Sequence, residues 1–159
     1  MADVHRPDIR SKNMSAIKGK HTKPELIIRS ALHKRGFRYS LHNRKLPGNP
    51  DLYFRKYKAV LFVHGCFWHG HGCHLFKWPK TREEFWREKI GGNIERDARV
   101  VRKLDEAGLR VGIIWECALK GRTAKGLDTV EALCVDWLGS QEGDLEIHGD
   151  EKGIPVRVL

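Results

Sequence analysis

The spacing of apolar positions changes period several times along the 159 residues, and each change predicts an element. Residues 1–21 are polar and carry no period able to dock on a core, so they read as an arm. Ile27, Ile28, Ala31 and Leu32 then recur at helical spacing and define one buried face. Thr22-Lys23-Pro24-Glu25 supplies the start, with capping-box spacing from Thr22 to Glu25, and Gly36 supplies the stop. Over Phe37 to Leu41 the period drops to two, which predicts a strand. The turn Lys45-Leu-Pro-Gly-Asn-Pro50 leads to a second strand, Asp51-Leu-Tyr-Phe54. A tight basic connection, residues 55–58, returns as the unbroken apolar run Ala59 to Val63, as a strand buried on both faces requires. Two antiparallel strands joined by a short turn place the start of the first beside the end of the second, so Asp51 should lie next to Val63 and His64.

Downstream, Thr81-Arg-Glu-Glu84 repeats the capping-box spacing and opens a helix carrying Phe85, Trp86, Lys89 and Ile90, which Gly91-Gly92 should end. A third helix, Asn93 to Ala107, presents Ile94, Ala98, Val101 and Leu104 on one face. Asp97 shares that face, and an inward carboxylate requires a partner. Leu109 to Glu116 reads as the next strand, ending at Cys117. Asp128 with Glu131 caps a last helix whose stripe is Val130, Leu133, Cys134, Trp137 and Leu138, making Cys134 a core residue. From Gly139 the chain is acidic, with an edge strand expected over Ile154 to Leu159. The expectation is one α/β domain over residues 1–159, with 1–21 as a basic arm and 139–159 as a divergent acidic segment.

Charge narrows the partners. The formal net charge is +10, and the eight acidic and two basic residues from Asp128 onward leave about +16 on residues 1–127. So basic a body implies a polyanion. No stretch approaches the roughly 20 apolar residues of a spanning helix, and the first residues lack the basic and apolar regions of a secretory signal. The chain is therefore expected to be cytoplasmic, with nucleic acid rather than membrane as its partner. Arg10, Lys12, Lys18 and Lys20 in the arm are candidate contacts to a nucleic-acid backbone. In a reducing compartment the four cysteines should be free or metal-bound.

Candidate chemistry concentrates in residues 59–76. Cys66, His71 and Cys73 are three tetrahedral-type ligands in one loop, and Cys117, at the end of a neighbouring strand, is a plausible fourth. Three thiolates and one imidazole make a closed, structural zinc site with no open position. Asp51, His64 and His69 remain beside it, with Glu25 and Asp97 as support. A carboxylate at a strand end can hold magnesium and an imidazole can move a proton, a combination suited to phosphodiester cleavage. Phe67 and Trp68 either pack over the zinc loop or wedge between base pairs, and Trp86 is either core or the second half of such a wedge.

These residues fall in motifs that closely resemble the very-short-patch repair (Vsr-type) DNA mismatch endonucleases. They are Arg-Ser-Lys-Asn-Met at 10–14, Leu-Pro-Gly-x-Pro-Asp at 46–51, His-Gly-Cys-Phe-Trp-His at 64–69, Arg-x-Glu-Phe-Trp at 82–86, Lys-Ile-Gly at 89–91, Asn-x-Glu-Arg-Asp at 93–97 and Trp-Glu-Cys-Ala-Leu at 115–119. The resemblance implies a restriction-endonuclease-like three-layer fold, a central mixed sheet flanked by helices, with a structural zinc loop. It also implies magnesium-dependent nicking 5′ of the thymine in a T:G mismatch, with two catalytic magnesium ions and one structural zinc ion. On this resemblance Asp51 and the Val63 main-chain carbonyl bind magnesium, and His64 and His69 are catalytic, His69 at the scissile phosphate. Glu25 and Asp97 order waters or histidines, Cys66, His71, Cys73 and Cys117 bind zinc, and Phe67, Trp68 and Trp86 intercalate. Val63 stands where the family carries Thr, a change a main-chain ligand tolerates. The implied partners are mismatched duplex DNA and mismatch-repair proteins, and a monomer is expected. The alternative from another class is a zinc-ordered, non-catalytic module that recognises distorted duplex.

Overall fold

The computed structural model describes residues 20–150. Five strands, β1 (Ser40–Leu41), β2 (Leu52–Phe54), β3 (Ala59–His64), β4 (Arg110–Trp115) and β5 (Leu145–Ile147), form one sheet in that order. β1, β2 and β3 pair antiparallel, and β4 and β5 join in parallel, so the sheet is mixed. Among the described residues three α-helices cover it: α1 (Lys23–Lys34), α2 (Glu83–Glu106) and α3 (Leu127–Ser140).

The alternation along β3 explains the layers. Ala59 and Leu61 point to one face, where Ile28 and Leu32 of α1 and Val130, Cys134, Trp137 and Leu138 of α3 complete the larger core. Val60 and Phe62 point to the other, against Leu104, Val100 and Val101 of α2. Central placement of β3, predicted from its unbroken apolar run, follows from this two-sided burial. Gly112 on β4 leaves room for α3: a Cβ there would lie 2.8 Å from Leu61 and 2.9 Å from Trp137.

Several predicted boundaries move. Gly91-Gly92 does not end a helix: α2 runs unbroken for 24 residues. Two helical glycines cost roughly 1 kcal/mol each, less than fully burying Ile90 and Leu104 on the same face, at roughly 1.5–3 kcal/mol each, returns. Ala98 is exposed, and Val100 takes the packing position assigned to it. The Thr81 capping box is absent, because α2 is preceded by Arg82 in a left-handed conformation (φ 54°) that makes no side-chain cap. α3 follows Gly126, and Glu131, instead of reaching back as a cap, accepts from Arg35 at 2.6 Å and ties α3 to the end of α1. Leu133 is 37 % exposed on the flank of a stripe made by Val130, Cys134, Trp137 and Leu138. Only Ser40–Leu41 of the predicted first strand pairs. β5, unforeseen, is a three-residue edge strand whose approach is fixed by Asp144 Oδ1, which accepts from Val111 N at 2.8 Å. The strand expected over 154–159 lies outside the described residues, as do Arg10, Lys12 and Lys18. Among the described residues no helix is long and apolar enough to cross a membrane.

Candidate active site and metal cluster

β3 and β4 end in register, His64 opposite Trp115, so the residues two positions beyond each, Cys66 and Cys117, emerge side by side. The loop after β3 turns back, with His71 N donating to Cys66 O and Cys73 N to His71 O, both at 2.9 Å. The ligand atoms of Cys66, His71, Cys73 and Cys117 all lie within 4.8 Å of one another. His71 Nδ1 is 3.5 Å from both the Cys66 and the Cys117 sulfur. A tetrahedral ion with bonds of about 2.3 Å to sulfur and about 2.0–2.1 Å to nitrogen demands an S···N separation of about 3.6 Å, so the set fits such an ion. His71 is fully buried, stacked on Trp115 with ring centroids 4.3 Å apart. The hydrogen bond from Cys66 holds the Cys117 thiol down at about 4, helped by His71 and the Gly149 N–H against the opposing effect of burial. Its counterpart Cys66 is pushed well above the thiol range by that same bond and by burial. The two shifts run in opposite directions, so Cys117 is the sulfur whose surroundings favour the thiolate form a metal needs.

Asp51 stands immediately before β2, and the predicted proximity holds: its Oδ2 accepts from Val63 N at 2.8 Å. Burial is the largest influence on this carboxyl and drives it from 3.8 up to about 7. The Val63 N–H opposes the rise and neighbouring Glu25 adds to it. Glu25 is 1 % exposed. Its Oε1 accepts from His21 N at 3.0 Å and its Oε2 from Arg29 Nη1 at 2.8 Å, while His42 Nε2 sits 3.0 and 3.1 Å from the two oxygens. Burial pushes this carboxyl up, but hydrogen bonding and charge from His42 and the His21 amide outweigh it, and the net direction is down. The capping role predicted for Glu25 is therefore only partly made. Thr22 Oγ1 accepts from Glu25 N at 3.4 Å, but the carboxylate reaches His21 rather than Thr22.

The inward carboxylate of α2 has the partner it required: Asp97 Oδ2 is 2.7 Å from His69 Nδ1. His64 and His69 lie with ring centroids 3.7 Å apart, and Phe62 stacks on the other side of His64 at 5.4 Å. Asp51, Val63, His64, His69 and Asp97 line one cavity of about 710 Å³, with His42 on its wall and Lys20, Arg44 and Arg96 at its edge. Three cations beside two carboxylates and three imidazoles suit a phosphodiester.

Phe67, Trp68 and Trp86 form one half-buried group with centroids 5.2–5.9 Å apart. Asn93 Nδ2 holds the main chain of Trp68 at 2.8 Å. Phe76 stacks under Phe67 at 5.7 Å and carries Trp78 edge-on, over which the Arg87 guanidinium lies 4.5 Å from the ring centroid. The group is thus buttressed from the protein side while one side remains open.

Sequence reasoning missed His42, His21, Arg29, Arg44 and Arg96 around the cavity and Phe76, Trp78 and Arg87 under the aromatics. His21 and Arg29 sit four residues either side of Glu25, a spacing that could have identified them. His42 follows β1 as Asp51 precedes β2, so antiparallel pairing brings the two together.

A family model described as DNA mismatch endonuclease Vsr matches residues 2–75. The DNA mismatch endonuclease Vsr of Escherichia coli (strain K12) is 45 % identical over 154 residues, spanning 97 % of this chain and 97 % of that protein. The type II nicking enzyme V.XorIIP of Xanthomonas oryzae pv. oryzae is 45 % identical over 119 residues, 75 % of this chain and 88 % of its own. The type II nicking enzyme V.NmeAIP of Neisseria meningitidis serogroup A is 43 % identical over 122 residues, 77 % and 87 % of the two chains.

Proposed function

The chain belongs to the DNA mismatch endonuclease Vsr family, and from that premise we propose that its cavity nicks duplex DNA 5′ of the thymine in a T:G mismatch, with magnesium held at Asp51. That it is a strand-nicking DNA endonuclease follows from its relatives and displaces the non-catalytic alternative. The observation carrying the finer reading is the cavity itself. It gathers Asp51, Val63, His64, His69 and Asp97 with three cationic side chains, and the loop that carries His69 also carries Phe67 and Trp68.

Magnesium, two ions by the family resemblance, would supply positive charge to the phosphate and a more acidic bound water. Asp51 offers Oδ1, since Oδ2 is engaged by Val63 N. In a strand the N–H and C=O of one residue point the same way, so the Val63 carbonyl faces the Asp51 side as a second oxygen ligand. His69, oriented by Asp97, is placed to hold or move a proton at the scissile phosphate, and His64 packs against it. Lys20, Arg44 and Arg96 bind backbone phosphates and fix the strand's register. Phe67, Trp68 and Trp86 enter the base stack at the mismatch, where unstacking is cheapest. Zinc on Cys66, His71, Cys73 and Cys117 would hold the loop carrying Phe67, Trp68 and His69, against which Trp86 of α2 packs. The restriction-endonuclease-like assignment agrees with a mixed sheet between α2 on one face and α1 with α3 on the other.

Asp51→Ala should abolish magnesium-dependent nicking of a T:G duplex while duplex binding and bound zinc persist. Nicking by Asp51→Ala at the wild-type rate, or equal nicking of matched and T:G duplexes, would refute the reading.

A further inference from the structure

We propose that His42 is a positioning residue of the nicking reaction, held by Glu25 against Asp51 so that the magnesium-binding carboxylate is set before the cation arrives. The inference rests on Asp51 as the magnesium ligand and concerns what fixes it. Glu25 is poorly suited to be a direct ligand. It is buried, and both its oxygens are occupied by the His21 amide, the Arg29 guanidinium and His42 Nε2, at 2.8–3.1 Å. The guanidinium already provides the countercharge a metal would bring. What Glu25 presents to the cavity is therefore His42, much as Asp97 presents His69 on the opposite side.

His42 is tied to Asp51 twice. Its backbone N donates to the Asp51 carbonyl at 3.2 Å, and its Nε2 lies 3.8 Å from Asp51 Oδ1. That separation exceeds a hydrogen bond, so Oδ1 is left for a cation. The Glu25 and Asp51 carboxyls also meet each other directly, and His42 Nε2, beside both, supports a pair of like charges whose repulsion would otherwise turn Asp51 away from the Val63 N–H. Holding the ring there requires a left-handed backbone at His42 (φ 47°), which His adopts more readily than most residues other than glycine. Partners that orient a metal ligand typically change affinity by roughly 10- to 100-fold when removed.

The test uses full-length, zinc-loaded protein and two variants. His42→Asn tolerates the left-handed backbone but is too short to reach Glu25, whereas His42→Gln restores an N–H at that distance. Manganese binding, read from the electron paramagnetic resonance of free ion in magnesium-free buffer, should weaken roughly 10- to 100-fold in His42→Asn and return close to wild type in His42→Gln. The magnesium concentration for half-maximal nicking should rise in parallel, with zinc content held and the loss of rate larger at limiting than at saturating magnesium. Unchanged manganese affinity in His42→Asn, or equal losses in both variants, would overturn the role of His42. Asp51→Ala separates the two ideas: if it keeps manganese binding and nicking, the reading of Asp51 itself fails, whatever His42 does.

Discussion

Replacing Asp51 by Asn exchanges a largely enclosed carboxylate for a neutral amide of the same shape, whose oxygen can still accept the Val63 N–H. Burial, with Glu25 adding to it, raises the Asp51 carboxyl from 3.8 to about 7. Between those values the folded protein holds a proton that the unfolded chain has released. Stability therefore falls as pH rises through that window and is flat above it, the reverse of a salt-bridged aspartate. About three pH units at about 1.36 kcal/mol each set an upper limit of a few kcal/mol missing from the magnesium-free protein above pH 7, reduced by Glu25, whose lowered carboxyl acts with the opposite sign. Asp51→Asn should recover part of this at pH 8, a rise in melting temperature of several degrees for a chain of this size, and much less at pH 5. Urea unfolding of zinc-loaded protein in magnesium-free buffer at both pH values measures the gap. Saturating magnesium should narrow it by stabilising the wild type alone. A variant no more stable than wild type at pH 8, or a gap independent of pH, would refute the strain assigned to this carboxylate.

Other expectations follow from the site. Cys73→Ala should lose bound zinc and several kcal/mol of stability together, read by metal analysis and thermal melting, and retained metal would remove Cys73 from the ligand set. Asp97→Asn leaves His69 without its charged partner, 2.7 Å away. It should slow single-turnover nicking roughly 10²- to 10⁴-fold with T:G duplex binding unchanged. Gly70 has φ 62°, and a Cβ there would lie 2.6 Å from Ile94 Cδ1 and 2.9 Å from Ile90 Cγ2. Gly70→Ala should cost about 2–4 kcal/mol in urea unfolding, and a loss below about 1 kcal/mol would show that the loop can yield.

What could be foreseen depended on whether the determinant was local. Asp51 beside Val63 follows from a short hairpin, and Cys66 beside Cys117 from two strands that end together, so both were legible. Asp97 was legible as an inward carboxylate, although its partner His69, 28 positions away, was not. The false break at Gly91-Gly92 came from propensity, which the packing of Ile90, Ile94 and Leu104 along one face overrode. Leu133 and Ala98 were misplaced because a helical stripe has flanks, and only the neighbouring elements decide which flank is covered. β5 has two apolar residues, Leu145 and Ile147, too few to stand out without the pairing with β4. The set around Glu25 escaped notice because a capping box gave that residue a sufficient local explanation, while its burial depends on His42 returning from the next strand.

The register that ends β3 at His64 and β4 at Trp115 also bears on how the chain comes apart. The segment between Cys66 and Cys117 contains the whole of α2, so an ion joining the two sulfurs closes a loop of about 50 residues. Closing a loop of that length in an unfolded chain costs roughly 4 kcal/mol, a cost the folded sheet meets by ending both strands together, so an ion there binds the folded chain and stabilises it. A disulfide of that span would be vulnerable in a reducing cell, whereas thiolates bound to zinc resist thiols and yield instead to chelators. Removing the ion would thus release more than the loop that bears it. It would withdraw stability from the whole crossover between the two central strands, because only the folded crossover brings the two sulfurs together.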